Sequence, residues 1–221
     1  MSDSDSDPPS TRDELEELGF YDNEFTEFPP ELSGIKRFKV EGKTEPLVES
    51  LDIFEANFLR KEVIEALGRI GDDNAVDRLL DEVDDADTRI DAIEALARIG
   101  SPKASEKLED TLDPEANIPD NVRAKAADAL GKIGDSGSTD AVVGALEMES
   151  VRVRESAAEA LGSIGDEDAV EDLGSLLEEE THESVRVSAA KSLAEIGGER
   201  ARGILEDYSD DTNELVAKAA S

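Results

Sequence analysis

The chain has no cysteine and no tryptophan, a single histidine and only 4% aromatic residues. Without cysteine there can be no disulfide, no thiolate zinc site and no thiol nucleophile. One imidazole cannot build a multi-histidine metal site. It also leaves the serines almost nothing to activate them, so a Ser–His triad is set aside. Long apolar runs are missing too: nothing approaches the roughly 18 residues of a membrane span, so no membrane partner is expected. The first residues, MSDSDSDPPSTRDELEEL, are acidic where a secretory signal would be basic and then apolar, which points to a cytoplasmic protein.

Cations are scarce as well. Against 57 Asp and Glu stand 23 Lys and Arg, a formal charge of −34 over 221 residues. Such a surface repels nucleic acid and acidic lipid. In dilute buffer the charges also repel one another, and near 1 M salt the Debye length falls to about 3 Å and that repulsion fades. The acids are spread along the chain, a balance that resembles cytoplasmic proteins of salt-accumulating haloarchaea, with hydrated cations as surface partners. An acidic interaction domain from an ordinary cell is the other reading. With 38% hydrophobic residues, the chain is too apolar to be wholly disordered.

What the sequence does have is a repeat. The segments VIEALGRIG, AIEALARIG, AADALGKIG, AAEALGSIG and AAKSLAEIG end in Ile-Gly pairs at Ile70-Gly71, Ile99-Gly100, Ile133-Gly134, Ile164-Gly165 and Ile196-Gly197, spaced by 29, 34, 31 and 32 residues. A recurrence of that period marks a solenoid of stacked units. In the third unit Val122, Ala126, Leu130 and Ile133 form one stripe of a 3.6-residue helix. The Gly after each Ile is placed to end that helix, and a shorter second helix follows, as over 140–147 or 168–177. The glycines therefore read as helix punctuation, and no Gly-rich phosphate loop is expected.

These motifs resemble HEAT repeats of the short phycobilisome-lyase subtype over roughly residues 44–220. The resemblance implies an all-α fold, a right-handed α-α superhelix of about six helical hairpins. It also implies that the helix carrying ALGxIG lines the concave face. The segments LSGIKRFKVE and GKTEPLVESLD would form an incomplete first unit, and DDTNELVAKAAS would begin a last one. Residues 1–12 read as a disordered acidic tail, and 44–221 as the solenoid. Residues 13–43 hold Phe20, Tyr21, Phe25, Phe28 and Phe38, and read as a terminal cap, or else as a segment that engages a partner.

Two columns recur within the repeat. Seven residues before each Leu of the motif (Leu67, Leu96, Leu130, Leu161 and Leu193) stands an Arg: Arg60, Arg89, Arg123, Arg154 and Arg186. Seven steps return to within about 20° of the buried Leu, in a first turn where the helix dipole disfavours a cation. A structural ladder of charge-assisted bonds across repeat boundaries accounts for the column, and a row of ligand-binding arginines is the alternative. The second column points away from the buried stripe. Two before the Leu come Glu65, Glu94, Asp128 and Glu159, and two after it come Arg69, Arg98 and Lys132. The acid stands four residues ahead of the base, the favourable order for an intrahelical pair, and together they form a mixed-charge strip for a partner.

The search for chemistry yields little. His182 precedes a helix and has no second imidazole, so it reads as an exposed turn residue rather than a metal ligand. The acid-rich stretches 81–88 and 207–212 lack the pattern of a calcium loop and read as solvated turns. No catalytic residue, metal site or cofactor is expected, and the chain is read as not an enzyme. The expected role is a noncatalytic scaffold or adaptor that binds a protein or peptide along the concave face, with no nucleic acid. An accessory or chaperone-like subunit for a cofactor-carrying protein, as the bilin-lyase resemblance implies, is the alternative.

Overall fold

In the computed structural model, residues 11–21 and 30–220 are described. Among them there is no strand. Fourteen α-helices follow one another: α1 (Thr11–Glu17), α2 (Pro30–Glu41), α3 (Glu45–Ile53), α4 (Asn57–Ile70), α5 (Val76–Glu82), α6 (Arg89–Ile99), α7 (Ser105–Leu112), α8 (Asp120–Ile133), α9 (Thr139–Ala145), α10 (Val151–Ile164), α11 (Val170–Glu179), α12 (Glu183–Ile196), α13 (Gly198–Glu206) and α14 (Glu214–Ala219). From α2 to α13 they pair into six hairpins, each a first helix followed by a shorter second one. The fold is all-α and of the helical-repeat superhelix class. The expected tail over 1–12 lies outside the described residues apart from Thr11 and Arg12, which open α1, and so do Phe25 and Phe28. The 43/44 boundary falls between the two helices of the first hairpin.

The chain divides into two compact units, residues 1–95 and 96–221. In the first, Phe20 is buried edge-on against Phe38 and Phe54, with ring centroids 5.0 and 5.5 Å away. In both, the repeat motif explains the local structure. Leu67, Leu96, Leu130, Leu161 and Leu193 are fully buried. The Gly after each Ile ends its helix at positive φ, for example 71° at Gly134, and its amide donates to the carbonyl of the motif Leu. Gly accepts that left-handed conformation without strain.

Not every glycine is punctuation, which corrects the sequence reading. Gly68, Gly131 and Gly162 lie inside first helices, where glycine costs roughly 0.5–1 kcal/mol relative to Ala. A Cβ on Gly68 would sit 2.7 Å from the Ala95 Cα, and one on Gly131 would sit 2.7 Å from the Ala160 Cα. On Gly162 it would meet Ser192 Oγ at 2.6 Å. At Gly68 and Gly131 neighbouring first helices thus touch backbone to backbone, against Ala, and at Gly162 the backbone meets the Ser192 side chain. In the last contact the Ser192 hydroxyl also donates to the Ala158 carbonyl at 2.7 Å. The helical cost of Gly is offset by this packing.

Candidate functional site

The five arginines of the first column sit in the first turns of their helices, mostly withdrawn from solvent. They solve one problem in two ways. A second helix ends with carbonyls that have no intrahelical partner, and a cation there is favourable. Arg89 donates to the carbonyls of Val83 (2.7 Å) and Asp84 (3.1 Å), just past α5. Arg123 donates to the carbonyls of Asp113, Pro114 and Ala116, the last at 2.7 Å. Arg154 takes those of Met148 and Glu149, and Arg186 that of Leu177. The neighbouring second helix thus supplies what the arginine's own helix dipole denies it.

Three of the five also reach an acid 25 or 26 residues ahead. Arg60 pairs with Asp85 at 2.7 Å, Arg154 with Glu180 at 2.7 Å and Arg186 with Asp211 at 2.6 Å. Burial would raise the Glu180 carboxyl, but Arg154 and the His182 amide hold it down at about 2. Asp211 is lowered by Arg186 and then by the Asn213 amide. Asp85 is lowered first by the Asp87 amide and then by Arg60. His182 is an exposed N-cap residue of α12, with Nδ1 2.9 Å from Glu180.

The stretch 81–88 is a solvated turn only in part: Asp81, Asp84 and Asp87 are exposed as read from sequence, but Glu82 is not. The Glu82 side chain is fully buried, held by Arg60 at 2.6 Å, Arg78 at 2.7 Å and the Thr88 hydroxyl at 2.8 Å. Arg78 itself reaches Asp52 at 3.0 Å. Nothing in the sequence distinguishes Glu82 from the acids beside it.

A second ladder went unnoticed in the sequence. Asp72, Asp135 and Asp166 follow their Ile-Gly pairs, and each caps a single 3-10 turn with one oxygen, accepting from the amide two residues on. The other oxygen accepts a hydroxyl from the start of the preceding second helix: Thr44 at 2.7 Å, Ser105 at 2.9 Å and Thr139 at 3.0 Å. Where the turn has Ser101 or Gly198 instead, the second helix opens with Val76 or Val170. An Asp after Ile-Gly with a Ser or Thr 27–30 residues earlier is a signal that sequence reading could have used.

The mixed-charge strip lies on the exposed faces of the first helices. Glu65 pairs with Arg69 at 2.8 Å and also meets Lys39 at 3.9 Å. Glu94 is half-buried and Arg98 exposed. Asp128 and Lys132, at the same spacing, make no ion pair with each other. Glu159 accepts instead from Ser188 on the next first helix, at 3.1 Å.

The acid excess is distributed by layer. The first helices α4, α6, α8, α10 and α12 carry 12 Lys and Arg against 10 Asp and Glu. The second helices α5, α7, α9, α11 and α13 carry 4 against 13. Clefts flank two column arginines on the acidic side. One of about 310 Å³ is lined by Arg154, Leu176, Glu179 and Glu180, and one of about 470 Å³ by Arg123, Glu147 and Glu149. Among the described residues no group of three or more Asp, Glu or His is placed to hold a metal ion.

Helical hairpins whose first helices pack closely within each unit define an α-helical repeat protein. The HEAT-repeat family model matches residues 59–119, 119–186 and 150–221, and the chain belongs to that family. No curated protein matches the sequence. Among solved structures, an engineered protein is similar at 22% identity and TM-score 0.58, over 80% of this chain and 93% of that one. The complex of CpcE and CpcF of phycocyanin lyase from Nostoc sp. PCC7120 is similar at 16% identity and TM-score 0.51, over 99% of this chain and 95% of that one. At these identities the likeness shows the fold alone. It does correct one expectation: this is a fold on which lyase subunits are built, so the reading of the chain as not an enzyme does not stand.

Proposed function

We propose that the protein binds a polypeptide partner along the exposed face of its first helices, as a scaffold or adaptor working at high salt. The charge layering carries this reading. In a chain with 34 excess acids, the first helices carry, besides the five withdrawn column arginines, 7 Lys and Arg against 10 Asp and Glu, so their face is only weakly acidic and studded with fixed charges of both signs, whereas the second helices carry 4 against 13. Within it Arg69, Arg98 and Lys132 are the cationic contacts, and Glu65, Glu94, Asp128 and Glu159 the acidic ones. The five column arginines hold the hairpins together beneath them, and their bonds, to acids for Arg60 and to carbonyls at or just past the second-helix ends for the other four, support that structural role. Of residues 13–43, the part ahead of α2 caps the first hairpin in this reading, and α2 belongs to that hairpin; the burial of Phe20 against Phe38 and Phe54 supports it. The net charge opposes nucleic acid and acidic lipid as partners, and hydrated cations gather on the second helices and turns.

The test uses a partner isolated by pull-down at about 1 M KCl, where the surface charges are screened. Reversing Arg69, Arg98 and Lys132 to Glu should weaken its affinity by about tenfold or more, with helicity unchanged. Reversing Lys107, Arg200 and Arg202 on the second helices should leave affinity unchanged. Equal weakening by both sets would overturn the reading. Tetrapyrrole absorbance in the isolated partner would favour an accessory subunit for a cofactor-carrying protein.

A further inference from the structure

In a molecule with 57 carboxylates, a cation without a partner is conspicuous. Among the described residues only Lys132, Arg152, Lys191, Arg202 and Lys218 make no ion pair or hydrogen bond. Three of these five fall one apiece on α8, α10 and α12, and all three are exposed. Within the second unit α10 packs against both α8 and α12.

Their position on those helices is shared. Lys132 stands two residues after Leu130, Arg152 nine before Leu161 and Lys191 two before Leu193. At 100° per residue each lies within about 20° of the direction opposite its buried Leu. Three neighbouring helices therefore present one free cation each along the same outward line of the wheel. The contacts of Gly131 with Ala160 and of Gly162 with Ser192 fix the levels, each motif Leu lying about two residues, or about 3 Å, short of the next. Arg152 is then about 14 Å from the levels of both Lys132 and Lys191, at 1.5 Å per residue. With about 9 Å between axes, Arg152 is separated from each of the other two cations by roughly 16 Å.

We infer that the face formed by α8, α10 and α12 docks an acidic polypeptide segment, whose carboxylates pair with Lys132, Arg152 and Lys191. This rests on the binding role proposed above and names the chemistry of the partner. A basic segment would find acids in greater density on the second helices and would have no reason to choose this face. The spacing argues for separated carboxylates over a continuous phosphate chain. Asp128, Glu159 and Glu195 stand among the cations and would repel a charge placed at every step. An extended peptide, at about 3.3 Å per residue, reaches from one cation to the next in four to six residues. Neutral positions between its acids would lie over the carboxylates and over Ser163 and Ser184.

The experiment is selection from a random peptide display library on the full-length protein in about 0.5 M KCl, where the Debye length is roughly 4 Å and contact pairs survive. Selected peptides should carry Asp or Glu four to six residues apart with neutral residues between. Lys132→Ala, Arg152→Ala and Lys191→Ala together should weaken them about tenfold or more, while Arg202→Ala with Lys218→Ala leaves them unchanged. None of these side chains has a partner to lose, and circular dichroism should show both variants folded. Peptides enriched in Lys or Arg, or acidic peptides that bind the triple variant as well as the original, would overturn the proposal while leaving peptide binding intact. So would a tighter, same-site binding of an oligothymidine strand. Selection of no peptide at all would overturn both this inference and the binding role it rests on.

Discussion

The first and second helices of this protein alternate along one chain, yet they obey different rules. First helices are long, nearly neutral and so close to one another that Gly68, Gly131 and Gly162 leave no room for a methyl group. Second helices are shorter, strongly acidic and mostly solvated on one side. Packing demands explain the first layer: backbone contact requires Gly, Ala and Ser, and its helix starts receive arginines because the neighbouring second helices end there. The charge excess is thereby displaced onto the second layer and the turns, where water and ions reach it.

Glu82 is the exception on the second-helix side, and removing it should have the largest effect. Glu82→Ala leaves Arg60 and Arg78 facing each other without their shared carboxylate, and should cost about 3 kcal/mol in chemical unfolding. A cost under about 0.5 kcal/mol would return the 81–88 turn to the solvated surface. A glycine pair sharpens the comparison next. Gly131→Ala, in a first helix, should destabilise by about 1–3 kcal/mol despite its better helix propensity, because the new Cβ meets the Ala160 backbone. Gly144→Ala, in the second helix α9, meets nothing within 4 Å and should stabilise by about 0.5–1 kcal/mol. Equal signs in denaturant melts would break the distinction between layers.

Acid separates the two ways in which the column arginines are bound. The Glu180 carboxyl is lowered from 4.5 to about 2 in the folded protein. Its stabilisation is therefore present above about 4.5 and lost as the pH falls toward 2. The destabilisation caused by Arg154→Leu should shrink across that window. That of Arg123→Leu, whose strongest partners are carbonyls, should persist. Parallel pH dependence of the two variants would mean that their turns are held alike.

How much of this the sequence reveals depends on distance along the chain. The hairpins are legible because the Ile-Gly pairs and the Leu stripe are local and recur. The arginine column is legible as a column, but its partners are not. Arg60, Arg154 and Arg186 find acids 25 or 26 residues away, in turns of variable length, whereas Arg123 finds backbone carbonyls that no side chain advertises. Mid-helix Gly is ambiguous until the neighbouring Ala is known to press on it. The mixed-charge strip is readable from helical spacing, but spacing alone does not tell that Glu65 pairs with Arg69 while Asp128 and Lys132 stay apart.

The central claim is that the acid excess burdens the second helices and turns and spares the first-helix layer, and a salt series tests it most directly. Melting temperatures would be followed by circular dichroism from about 0.1 to 2 M KCl, over which the Debye length falls from roughly 10 Å to below 3 Å. Two variants stand beside the original: one neutralises Glu171, Asp172, Glu178 and Glu179 on α11, the other Glu62, Glu65, Asp128 and Glu159 on the first helices, all as Gln or Asn. The original should gain melting temperature steeply with salt, the α11 variant should show a visibly flatter rise, and the first-helix variant should climb as steeply as the original. A melting temperature indifferent to salt, or equal flattening by both variants, would contradict the account.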